Sequence, residues 1–139
     1  MERQVEKDPS GLSSNAPGAK LDANKIDSDL VLSSFSRALI EVCKVGTFGA
    51  NKYSRGGWLQ VANGEERYRS AGLRHWLYEA AGEEVDGDSL LLHKAHRAWN
   101  ALAELELFLR NNVKLNEEKI ASLSDLEIKN SLIYGDNIK

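Results

Sequence analysis

DSLLLHKAHRAWNALAELELFLR, residues 88–110, is the stretch on which the fold turns. Leu91, Ala95, Ala98, Leu102, Leu105 and Leu109 recur at three- and four-residue spacing, so a helix would gather them on one side. Asp88-Ser89 is a start signal and Arg110 suits the last turn, and the pattern predicts one helix over 88–110. Opposite the leucines stand His93, His96, Asn100 and Glu104, at i, i+3, i+7 and i+11. Such a face can hydrogen-bond phosphate oxygens or a base. It can equally lie in solvent or be satisfied within a core.

Upstream, a second helix is expected from Glu65 to Ala81, reaching toward Val85. His75, Glu79, Glu83 and Asp86 are spaced i, i+4, i+8 and i+11, and on a continuous helix they fall within about 80° of one another. Like charges at i, i+4 repel, so Glu79 and Glu83 ask for something to offset them. A divalent cation would, and hard oxygen donors suit Mg²⁺ or Mn²⁺. The competing reading is a solvated acidic stripe, with Gly82 ending the helix and turning Asp86 elsewhere.

A further helix is expected from the Asp27-Ser28-Asp29 cap to about Val45, ending at Gly46. Leu32, Phe35, Leu39, Val42 and Cys43 form its apolar stripe, with Cys43 read as a buried inert thiol and Glu41 on the shoulder. From Gly46 to Gly64 runs a long, ordered, glycine-rich connection of the kind that often carries function. Its Lys52, Tyr53 and Trp58 can pair with phosphate and stack on a base, or simply pin the loop to the core.

Helices joined by loops, without a strand pattern, make the fold an all-α helical bundle. Residues 1–19, polar and holding both prolines, read as a flexible arm. Residues 20–112 are the helical domain, with Lys20 near its entrance, and 113–139 a tail with short helices near Glu117–Leu123 and Leu126–Ile133.

A net charge of −3 lacks the broad positive field that duplex binding needs, so no nucleic-acid partner is expected. No apolar run approaches a membrane span and no signal-peptide core opens the chain, which points to the cytoplasm, or the host cytoplasm for a phage protein. No GxxxxGK[ST] loop, His-Asp dipeptide, HExxH, CxxC or GxSxG is present, so nucleophilic serine or cysteine catalysis has no support.

Four ordered blocks carry a resemblance: GAKLDA (18–23), EVCKVGTFGANKY (41–53), LRHWLYEAAGEEVD (73–86) and HKAHRAWNAL (93–102). Together they resemble the MazZ-type dATP/dGTP diphosphohydrolases of phages and bacteria, which are similar to the MazG-like all-α nucleotide pyrophosphatases. The resemblance implies a metal-dependent hydrolase that converts dGTP or dATP to monophosphate plus pyrophosphate, in some phages feeding dGMP into modified-purine synthesis. It implies that Glu41, Glu79, Glu83 and Asp86 hold Mg²⁺ or Mn²⁺, with Glu79 or Glu41 as general base. Lys20, Lys52 and Arg74 would meet phosphate, and His75, His93, His96 and Asn100 would complete the substrate contacts with Tyr53 and Trp58. It also implies a homo-oligomer, dimer or tetramer, for which three substantial helices with a thin core argue independently. Two other readings stay open: a nucleotide-binding protein without hydrolysis, and a helical interaction protein whose acidic and histidine faces are surface.

Overall fold

The computed structural model describes residues 6–112, so the expected C-terminal helices lie outside the described residues. The chain divides into two units, whose described parts are residues 6–28 and Asp29–Asn112.

Residues 6–28 form turns without a helix. The part of the expected arm that they include is organised by a single carboxylate, Asp8. Ser10 and Lys20 donate their backbone N–H groups to it at 2.8 and 2.7 Å, and Leu12 adds a third at 3.3 Å. These bonds, led by that from Lys20, hold its carboxyl below the usual range.

The second unit is all-α, as the periodicity predicts. It contains α1 (Asp29–Leu32), α2 (Ser36–Lys52), α3 (Gly64–Ala80) and α4 (His93–Asn111), with a 3-10 turn at Gly57–Gln60. Antiparallel α3 and α4 pack together, and α2 lies against α4. The boundaries differ from the sequence reading in three places, each with a local cause.

The first expected helix is broken at residues 33–35, where the Ser33 hydroxyl turns back to the Asp29 carboxylate. Helix α2 then runs straight through Gly46, the expected stop, and ends when the Tyr53 N–H donates to Gly49 O at 3.0 Å. Gly46 serves packing instead, because a Cβ there would stand 3.2 Å from Trp99 Nε1. The connection to α3 is correspondingly shorter, from Tyr53 to Asn63.

Helix α3 stops at Ala80. Gly82, at φ +102°, occupies the left-handed position, with its N–H on Glu79 O and the Glu83 N–H on Tyr78 O, both at 3.0 Å. This is a Schellman cap, and glycine is the residue that adopts it without a Cβ penalty. The chain doubles back through an antiparallel bridge between Val85 and Leu92, and α4 begins only at His93.

The core is small. Among the described residues the buried apolar side chains are Val45, Ala95, Ala103 and Leu107, joined by His93, His96 and Asn100. Helix α4 therefore turns its histidine–asparagine face inward and leaves Leu102 and Leu105 exposed. Leu73, Trp76 and Leu77 of α3 are exposed as well. Cys43, expected inside, is exposed, whereas Val45 two residues on is buried and Gly46 packs against Trp99 of α4.

Candidate active site

Between α2 and α3, with α4 as its floor, lies a cleft of about 1050 Å³. Lys52, Arg55, Arg67 and Arg74 bring positive charge to its lining, and Asp86 and Asp88 bring negative charge. Of the residues expected in a site, Lys52, Tyr53, Trp58, Arg74, His75, Asp86, His96 and Asn100 line it. Glu41, Glu79, Glu83 and His93 are not among the lining residues. Lys20 belongs to the other unit, where its ammonium stands 3.4 Å from Asp22.

The aromatic wall is a triad. Trp58, Tyr68 and Trp99 meet edge to face in all three pairs, with centroids 5.4–6.2 Å apart. The Tyr68 hydroxyl donates to Trp58 O at 3.1 Å, which fastens the 3-10 turn to α3. Trp58 is thus half-buried in a structural contact, whereas Tyr53 is 78% exposed and free to meet a ligand. Lys52 lies over the Phe48 and Tyr53 rings at 5.7 and 5.6 Å and pairs with Asp88, whose hydrogen bond raises the lysine's pKa.

The Glu79 carboxylate is occupied by two cations of α4. Lys94 binds one oxygen, and Arg97 donates to the other at 2.9 Å. Glu41 pairs with Lys44 one turn along α2 at 2.5 Å. With α3 ending at Ala80, Glu83 and Asp86 leave the helical register that would have aligned them with Glu79. Among the described residues, these four carboxylates do not form a group with donor atoms within 4.8 Å of one another.

A different group does converge. Among the described residues, donor atoms of His75, Asp86 and His93 all lie within 4.8 Å of one another. His75 Nδ1 and His93 Nδ1 are 2.8 Å apart, and the His75 ring stacks on His96 at 4.3 Å. Asp86 builds its own platform. Its Oδ2 accepts from the Asp88 N–H (3.2 Å), the Ser89 N–H (2.8 Å) and the Ser89 hydroxyl (2.9 Å). All three bonds fall on Oδ2, which leaves Oδ1 outside the network. Ser89 Oγ also reaches His96 Nε2 at 2.7 Å.

Burial and neighbouring groups favour the unprotonated forms of His75, His96 and Asp86. Burial, followed by the neighbouring His96, pushes His75 down to about 4. Burial lowers His96 as well. Asp86 is held below the usual carboxylate range because the Ser89 bonds and the two imidazoles outweigh its desolvation. Near neutrality His75 is therefore an uncharged ring and Asp86 an ionised carboxylate, a pair suited to accepting protons or cations.

Ser89 and the aromatic partners Tyr68 and Trp99 have no place in the sequence reading of the site. Asp86-Gly87-Asp88-Ser89 is a run of turn-forming residues, and that composition is the signal for a side-chain-capped turn. Tyr68 and Trp99 carry no comparable local signal.

Residues 15–117 match the family described as dATP/dGTP diphosphohydrolase, N-terminal. The chain belongs to this family. No curated protein and no solved structure matches it. No helix among the described residues is long and apolar enough to cross a membrane.

Proposed function

We propose that the cleft binds a purine deoxynucleoside triphosphate, dGTP or dATP, and that the chain catalyses its hydrolysis to monophosphate and pyrophosphate. Water attacks the α phosphorus, the bond to the α–β bridging oxygen breaks, and pyrophosphate departs. The observation that carries this reading is the juxtaposition, in one cleft, of Lys52, Arg55, Arg67 and Arg74 with exposed Tyr53 and ionised Asp86. Arginine forks match phosphate oxygens, and an exposed phenol ring suits a purine face.

Family membership supports the choice of substrate and of scissile bond. A triphosphate brings about four negative charges, so we assign the reaction a divalent-metal requirement, with Mg²⁺ or Mn²⁺ supplying charge neutralisation and an acidified water when bound. Of the four carboxylates considered from sequence, Asp86 is the one lining the cleft, and its role is to stay ionised beside the phosphates. Glu79, bound to Lys94 and Arg97, acts in this reading as a clamp between α3 and α4. The working form is a homo-oligomer in the cytoplasm that covers the exposed apolar side chains of α3 and α4. In a phage such an enzyme would supply dGMP for modified-purine synthesis.

The test is incubation of the full chain with each common NTP and dNTP plus Mg²⁺ or Mn²⁺, resolving products by ion-exchange chromatography. Monophosphate with pyrophosphate, strongest from dGTP or dATP, is the expected result. Diphosphate with phosphate would move the scissile bond. Binding without turnover would leave a nucleotide-binding protein and end the enzymatic reading.

A further inference from the structure

We infer that His75, Asp86 and His93 form a binding site for a nitrogen-preferring first-row transition ion, of the Zn²⁺ or Co²⁺ kind, in preference to Mg²⁺. This goes beyond the hydrolase reading and does not depend on it. Three features of the cluster support it.

The first is spacing. Two ligand nitrogens on a tetrahedral ion, each at the usual metal–imidazole distance, stand about 3.4 Å apart. His75 Nδ1 and His93 Nδ1 are already 2.8 Å apart, and one donor atom from each of His75, His93 and Asp86 lies within 4.8 Å of the other two. Opening the two rings by about half an ångström would turn a shared hydrogen bond into a chelate.

The second is an unsatisfied atom. His93 is 1% exposed and its Nε2 has no hydrogen-bond partner, although Glu83 Oε1 stands 3.3 Å away. A buried imidazole nitrogen left in that state is costly. A metal on Nδ1 would fix the tautomer with its proton on Nε2, facing the Glu83 carboxylate. That is the carboxylate–histidine–metal relay by which outer groups orient ligating imidazoles. Glu83 becomes a positioning residue.

The third is donor chemistry. Imidazoles are poor ligands for Mg²⁺, which takes oxygen and keeps its waters, and good ones for Zn²⁺, Co²⁺ and their neighbours. Three protein ligands leave a tetrahedral ion one open position. His75 and Asp86 both line the cleft, so that position is available to a water or a phosphate oxygen.

The experiment is titration of the metal-free full chain with Co²⁺, without nucleotide, read by visible absorption and by unfolding temperature. Expected are ligand-field bands that saturate at one equivalent, an unfolding temperature that climbs with Co²⁺ or Zn²⁺, and no displacement of Co²⁺ by a large excess of Mg²⁺. His75→Gln should abolish the bands. Asp86→Asn, which keeps the turn-forming side chain, should weaken Co²⁺ binding at least about tenfold, and Glu83→Gln by about 10- to 100-fold. Helical circular dichroism checks that each variant is folded. Absence of bands in the folded wild type, unchanged binding in folded His75→Gln and Asp86→Asn, or ready displacement by Mg²⁺ would overturn the site. Assaying dGTP hydrolysis with Mg²⁺ on the same preparations separates the two proposals. Turnover without Co²⁺ bands ends this inference and leaves the hydrolase. Bands without turnover do the reverse.

Discussion

Arg97 Nη1 of α4 donates to Glu79 Oε2 of α3 at 2.9 Å, fastening the two helices near the end of α3. Lys94 holds the other oxygen, so both lone-pair faces of this carboxylate are engaged. Both cations are substantially exposed, which limits what the clamp contributes. Glu79→Gln should lower stability by about 0.5–1 kcal/mol, a difference that shrinks at high salt. Denaturant titration at two ionic strengths measures it. A collapse of turnover with unchanged stability would instead return Glu79 to the chemistry.

The imidazole cluster sets a pH dependence. His75 has a folded pKa of about 4 against 6.5 for the free side chain. Between those values the unfolded chain binds more protons than the folded one, so stability rises with pH across the window. For the metal-free protein it should be fully present above about pH 6.5 and lost progressively toward about pH 4. His96, shifted the same way, adds to the slope. Urea midpoints measured from about pH 7.5 to about pH 4.5 should trace it, and His75→Gln should flatten the curve.

Where α3 crosses α4, a Cβ on Gly72 would stand 3.3 Å from Asn100 Cβ. Gly72→Ala gains up to about 1 kcal/mol of helix propensity and loses some of it to crowding, so it should be close to neutral. Gly72→Val should force the helices apart and destabilise by about 1–3 kcal/mol. Thermal unfolding of the two variants side by side checks the contrast.

Two cleft aromatics should behave differently. Trp58 is held by Tyr68 and Trp99, and Trp58→Ala should cost roughly 2–3 kcal/mol of stability. Tyr53 is exposed, and Tyr53→Ala should leave stability nearly unchanged. It should raise the Kd for dGTP by roughly fivefold or more, equivalent to about 1 kcal/mol of stacking. Calorimetric titration with dGTP, paired with melting curves, separates the roles. Unchanged dGTP affinity in Tyr53→Ala would remove it from the base contact.

The helical class and the approximate helices were legible because apolar spacing at three and four residues depends on local geometry alone. Which face of α4 turns inward was not. Leucines ordinarily mark the core, yet here His93, His96 and Asn100 are buried, because Ser89, His75 and the helix's own carbonyl at His96 satisfy or contact them. Such partners come from distant positions that a helical wheel does not see. Likewise, the alignment of Glu79 with Glu83 and Asp86 presumed an unbroken helix, and one glycine in the left-handed region undid it. Gly82 was visible in the sequence, but its φ of +102° was not. Lys52, Tyr53 and Arg74 line the cleft, while the triad with Tyr68 and Trp99 depends on how α3 and α4 pack.

The few apolar side chains enclosed in the helical unit carry a last consequence. Val45, Ala95, Ala103 and Leu107 remove little oily surface from water, while Leu73, Trp76, Leu77, Leu102 and Leu105 remain outside. If copies of the chain shelter those residues, folding and assembly become a single reaction, and dilution acts on this protein as a denaturant does. For a dimer, each tenfold fall in concentration would remove about 1.4 kcal/mol of apparent stability. Melting curves across a concentration series should shift accordingly, whereas a self-sufficient monomer would melt at one temperature throughout.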